Sequence, residues 1–143
     1  MRPKPIARLL AAAVLAMLTV TCGRTPSTPP LTEVHRARSG DVEVVLFAPT
    51  DALKQTRNYC TLEFRAGADG HLVDVGTVTV QTTMTMQGEP MTGATTDPKR
   101  VDTGRYTVEM VLAMTGTWRI SIAWDGPEGK GAVTFPADVA GSL

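Results

Sequence analysis

Histidine and cysteine each occur only twice in this chain of 143 residues. His35 and His71 stand well apart, and neither is set with Ser, Cys or Asp in an arrangement that would activate a nucleophile. There is no carboxylate pair, glycine-rich phosphate loop or histidine cluster either. An enzyme has no chemistry to rest on here, and the chain reads as a non-enzyme. Aromatic residues are scarce too, with three Phe, two Tyr and two Trp. Charge of one sign is not in excess, since fourteen basic residues balance fourteen acidic ones. Nothing strongly basic is available to grip nucleic acid or an anionic membrane surface.

The one long apolar run lies at the start. Arg2, Lys4 and Arg8 make a positive n-region, and Leu9 to Val20 is an uncharged stretch of about a dozen residues, the length of a signal h-region. It is too short to span a bilayer, which takes roughly 20 residues. Residues 1–21 therefore read as a lipoprotein-type signal peptide, with Cys22 of "LTVTCG" placed for cleavage and lipidation. The tract "GRTPSTPP" that follows cannot form a helix or a central strand, because proline lacks the amide donor and fixes its own φ. Residues 22–39 thus read as a lipidated cysteine and a Pro/Thr-rich tether. The expected location is the bacterial cell envelope, as an exported lipoprotein held to the membrane and facing the periplasm or extracytoplasmic space. Removing the leader takes three basic residues and no acidic ones, which leaves eleven against fourteen, or about −3. Once Cys22 is acylated, Cys60 is the only thiol left, so no intramolecular disulfide is available.

From Gly40 onward apolar and polar residues alternate at period two, and turns arrive about every ten residues. The alternation predicts strands over "DVEVVLF", "NYCTLEFRA", "TWRISIAW" and "GAVTFPA". "HLVDVGTVTVQTTMTM" holds a third and a fourth strand broken near Gly76, and a loop runs from Gln87 to Pro98. "KRVDTGRYTVEMVLA" then reads as a short strand, a Thr103-Gly104 turn and a longer strand. The expected fold is all-β, an immunoglobulin-like antiparallel β-sandwich of about seven strands over residues 40–143.

Methionine is the unusual feature. "MTMQGEPM" places Met84, Met86 and Met91 within eight residues. Thioether sulfur is a soft donor that selects Cu(I) over hard cations, and the same flexible side chain fills irregular gaps in cores. Met84 and Met86, two apart on a strand, point to one face, and Met91 can fold back onto that face across Gly88. Met84 weighs toward the core, as the continuation of the row Val78, Val80. Met86 and Met91 weigh toward an exposed or site role. Met110 and Met114 belong to the alternating row that starts at Tyr106, which is a buried strand face first. Met114 sits at its end beside Gly116, where it becomes a third or fourth ligand if the methionine loop folds over that end. Cys60 shares a face with Leu62 and Phe64 and reads as a small buried hydrophobe. His71 reads as a turn-flanking surface residue, and so does His35, although its place in the tether would also let it complete a metal site.

Several stretches resemble the YtkA-like and FixH-like periplasmic domains. The resemblance runs through nearly all of Gly40 to Ala137: a first strand ending at Pro49, a polar turn closing on Asn58, the Asp69-Gly70 turn, the methionine loop and "GRYTVEMVLAMTGTW". The spacing of Gly104, Tyr106, Met114, Gly116 and Trp118 matches the family's G-x-Y and M-x-G-x-W pattern, and Met84-Thr85-Met86-Gln87-Gly88 is similar to its M-P-M-x-G element. Two functions of different class follow as expectations. One is a copper-binding or copper-delivering domain holding Cu(I) through Met84, Met86, Met91 and Met114. The other is a metal-free interaction module, whose methionine loop docks on a membrane partner such as a cation pump, an oxidase assembly factor or an efflux component.

Overall fold

A computed structural model of the chain describes residues 30–141. The expected signal peptide and the expected lipidation at Cys22 fall outside the described residues. Eleven strands follow one another: β1 (Thr32–Ser39), β2 (Val42–Ala48), β3 (Leu53–Lys54), β4 (Thr56–Ala66), β5 (Thr77–Met86), β6 (Glu89–Thr92), β7 (Ala94–Thr95), β8 (Lys99–Asp102), β9 (Arg105–Leu112), β10 (Gly116–Gly126) and β11 (Gly129–Ala140). One sheet has the order β1-β2-β4-β9-β7, with β8 also on β9, and the other has β3-β11-β10-β5-β6. All pairings are antiparallel except the short contact of β3 with β11. No helix occurs among the described residues.

The alternation that predicts strands also decides what they bury. Along β10, Trp118, Ile120, Ile122 and Trp124 turn inward, and along β9 Tyr106, Val108, Met110 and Leu112 do the same. The inward rows of both sheets meet in a single cluster, and each fully buried Leu, Ile or Phe side chain contributes about 1.5–3 kcal/mol. This is the expected antiparallel β-sandwich.

Three boundaries differ from the sequence expectation. The domain starts earlier than Gly40, because Thr32–Ser39 is not tether but the edge strand β1, paired along its length with β2. Its charges hide it from a hydrophobic-period reading. Arg36 pairs with Glu33 at 2.7 Å and with Glu43 at 2.6 Å, while Val34 and Ala37 pack on the core. Charged side chains on an edge strand discourage pairing with a further chain. The second difference is at His71–Val75, which carries only one isolated bridge, Arg65 to Leu72, in place of a strand. The third is the loop 87–98, which contains β6 and β7. Seven strands are nevertheless seven residues or longer, and the other four have four or fewer.

The outward face of the first sheet carries one buried charge. Glu63 is 8% exposed, and Arg105 reaches it at 2.9 Å while Arg65 grips its other oxygen. Burial pushes the carboxyl up, but the two guanidinium groups outweigh it and hold Glu63 below the ordinary carboxylate range.

Candidate metal centre

The turn that builds the methionine hairpin is set by two residues. Gln87 and Gly88 both have positive φ, 51° and 85°, the pattern of a type I′ loop, whose twist matches that of the strands it joins. β5 and β6 then pair with Met84 opposite Met91 and Met86 opposite Glu89. Residues directly opposite one another share a face of the sheet, with Cβ atoms about 4.5–5.5 Å apart. Met86, two positions beyond Met84, lies on that face as well. The hairpin therefore presents three thioether side chains together.

They differ in depth. Met84 and Met91 are half-buried and pack against the edge of the core, whereas Met86 at the tip is 38% exposed. The same row continues inward through Thr82, Val80 and Val78, so Met84 is where the core ends and the hairpin begins.

Beyond Met91 the chain changes sheets. β6 pairs with β5 in one sheet and β7 with β9 in the other, and Gly93 stands between them. Its amide donates to the carbonyl of Thr82 at 2.9 Å. A Cβ there would collide with Thr82 Oγ1 and approach Trp118 Cζ3 to 3.1 Å, so only glycine lets the chain cross so close to the core. This crossing pins Met91 opposite Met84.

The backbone of Met114 lies at the same end of the sandwich. The connection from β9 to β10 runs at the same end of the sandwich as the hairpin, because β10 is antiparallel to β5. Two hydrogen bonds hold that connection. Gln55 Nε2 donates to the Ala113 carbonyl at 2.9 Å, and the Trp118 indole N–H donates to the Met114 carbonyl at 3.0 Å. Gly116 follows with φ 124°, and a Cβ built on it would stand 3.3 Å from the Met84 methyl carbon Cε. Met114 itself is half-buried. A shallow cleft of about 210 Å³ lies on the outer face of this sheet, lined by Thr83, Thr85, Thr117, Arg119 and Pro136, on the side away from the methionine face.

The other candidate ligands are elsewhere. Met110 is fully buried inside the sandwich. Cys60 is buried inside the sandwich among Leu62 and Phe64, and desolvation pushes its thiol up to about 12. His35 is not a tether residue, because it stacks on Phe135 at 3.9 Å between centroids, and burial holds its pKa below the ordinary histidine value. His71 is exposed in a turn, where its Nδ1 pairs with Asp69. Among the described residues, no three of His, Cys, Asp and Glu come together as a ligand set. The donors gathered at this end are thioethers, which suit a soft ion and not a hard one.

Two features of this end have no signal in the sequence. Thr82 Oγ1 is completely buried and has no hydrogen-bond partner among the described residues. The Trp118 N–H to Met114 carbonyl bond gives the M-x-G-x-W spacing a physical meaning: the tryptophan ties down the methionine backbone, and the glycine between them leaves room for Met84.

Comparison with known proteins adds the following. The family model described as YtkA-like matches residues 36–123. No curated protein is significantly similar in sequence. Among solved structures, FetP of uropathogenic Escherichia coli strain F11, as isolated after expression in the periplasm, is 13% identical, with a TM-score of 0.46 over 78% of this chain and 96% of its own. A copper-bound variant of the same FetP is 11% identical, with a TM-score of 0.47 over 76% of this chain and 97% of its own. Both scores lie below 0.5, too low to establish a common fold.

Proposed function

As the chain belongs to the YtkA-like family, we propose that it is a lipid-anchored, non-catalytic domain of the extracytoplasmic space that binds Cu(I) for handling or delivery. The observation that carries this reading is the register of Met84 against Met91, with Met86 on the same face. Met84, Met86 and Met91 are the proposed ligands, and Met114 joins them across Gly116. Copper here is cargo. Two or three neutral thioethers suit Cu(I) and bind Zn(II) poorly, because sulfur of this kind is a soft donor. The anchor is proposed from Cys22 and the apolar leader before it. Stable attachment needs more than one acyl chain, since one alone is marginal.

A second reading is favoured by the exposure of Met86, 38% at the tip of a hairpin whose other two methionines lean on the core. An adaptable Met-bearing tip also suits docking on a membrane partner such as a cation pump, an oxidase assembly factor or an efflux component. Metal stoichiometry separates the two. The mature domain is expected to take up about one Cu(I) per chain against a chromophoric chelator under reducing conditions, with negligible uptake of Zn(II). Met86→Leu and Met91→Leu should each weaken uptake while costing less than about 1.5 kcal/mol of stability. Uptake unchanged in the double variant, or absent in wild type, would transfer the loop to the docking reading.

A further inference from the structure

Gly116 does more for this site than complete a turn. A thioether sulfur presents its lone pairs on the side away from its two carbon substituents, so fixing the terminal methyl fixes where the sulfur can donate. At Met84 that methyl, Cε, lies close enough to Gly116 that a Cβ built on its α-carbon would stand 3.3 Å from it. The chain at Gly116 is itself constrained on both sides. Upstream, the Met114 carbonyl is bonded to the Trp118 indole, and downstream Trp118, at 1% exposure, is locked in the core. Its backbone φ of 124° is a conformation that only glycine adopts without strain.

We infer that Gly116 is a positioning residue: the side chain it lacks leaves the space beside its α-carbon in which the Met84 methyl is seated, and so presents the Met84 sulfur on the face it shares with Met91. In its metal arm this rests on the thioether-site reading above, but the seat itself is a property of the metal-free protein. The consequence is a division of labour within the M-x-G-x-W element. Met114 brings a further sulfur, Gly116 orients the sulfur across from it, and Trp118 holds both by one hydrogen bond and one buried ring.

The experiment uses the mature chain with ¹³C-labelled methionine methyl groups. In metal-free wild type, the Met84 methyl should show a cross-relaxation contact to the Gly116 α-protons and a ¹³C shift of one conformer. A conformationally averaged shift with no such contact would overturn the inference, and this arm needs no variant to fold. In Gly116→Ala, the Met84 methyl resonance should move while that of Met110 stays. Cu(I) affinity should fall by about tenfold, the scale seen when a residue supporting a ligand is removed. The strain at φ 124° is present whatever residue 84 is, so the same substitution is repeated in Met84→Leu. There it should change Cu(I) affinity less than twofold. An equal loss in both backgrounds would mean that Gly116 acts only through its turn, and the inference falls. If wild type binds no Cu(I), the thioether-site reading fails by itself, and the methyl contact alone decides the positioning.

Discussion

The two ends of the sandwich are built from different materials. At one end Phe64 packs edge-on against both Tyr106 and Trp124, with centroids 5.5 and 5.4 Å apart. The Tyr106 hydroxyl donates to the Gly76 carbonyl at 2.6 Å. At the other end Met84 and Met91, both half-buried, pack against the edge of the core, and a buried hydroxyl at Thr82 has no partner among the described residues. Edge-to-face aromatic pairs add about 0.5–1.5 kcal/mol beyond their burial. Unbranched thioethers give up that geometric preference for adaptability. The contrast is one of rims: Trp118 is locked in the core at the second end too, but outside it the rim is lined by thioethers in place of paired rings, which leaves that rim adaptable.

The largest expected effect comes from breaking the firm end. Phe64 is fully buried, and Phe64→Ala should cost about 3–5 kcal/mol of unfolding free energy in urea, by lost transfer energy and the cavity left behind. A cost as small as that expected for Met84→Leu, under about 1.5 kcal/mol, would erase the distinction between the two ends. The second test goes to the soft end and has the opposite sign. Thr82→Val removes an unpartnered buried hydroxyl, whose desolvation costs about 1–3 kcal/mol, so this variant should be more stable than wild type by about 1 kcal/mol. A destabilised Thr82→Val would indicate that the hydroxyl has a partner in solution and that the soft end is less frustrated than it looks.

The smallest effect concerns His35, which stacks on Phe135 at neither extreme of the sandwich. Burial is the main cause that lowers its pKa from the ordinary 6.5, and the charge of Glu33 opposes it. A group whose folded-state value is depressed stabilises the fold most when it is neutral in both states. The contribution of His35 is therefore fully present above about 6.5 and is lost as pH falls from there through the lower folded-state value, since the unfolded chain then binds the extra proton. Thermal melting should show wild type losing stability relative to His35→Phe between about pH 7 and pH 5. A constant difference between the two would mean that the stacked ring does not titrate with folding.

How much of this was legible in the residues themselves varies along the chain. The inward rows of β4, β9, β10 and β11 could be read directly, because each alternates cleanly and carries its own turn. β1 could not, since Glu33, Arg36 and Arg38 mask its two core contacts, and its partner β2 supplies what its own pattern lacks. His71–Val75 failed in the other direction, as its apolar residues, Val73 and Val75, are buried without strand pairing. For the candidate site, the Gly88 turn and the common face of Met84 and Met86 were visible as spacing. The separate depths of the three methionines, the sheet change at Gly93 and the approach of Gly116 to Met84 were not.

Alternation, turn residues and donor chemistry are local, so the amino-acid order alone determines that this is an all-β domain with soft sulfur donors grouped on one hairpin, and the motif spacing carries its family. Which strand each segment joins, how deep a side chain comes to lie and which backbone closes over it depend on residues distant in the chain. Only the tertiary structure decides that Met84 meets Met91 across a hairpin and Gly116 on the neighbouring strand of the same sheet. The reason is physical: a register between strands is chosen by the whole buried face at once, because a slip of one residue would turn that entire face to water.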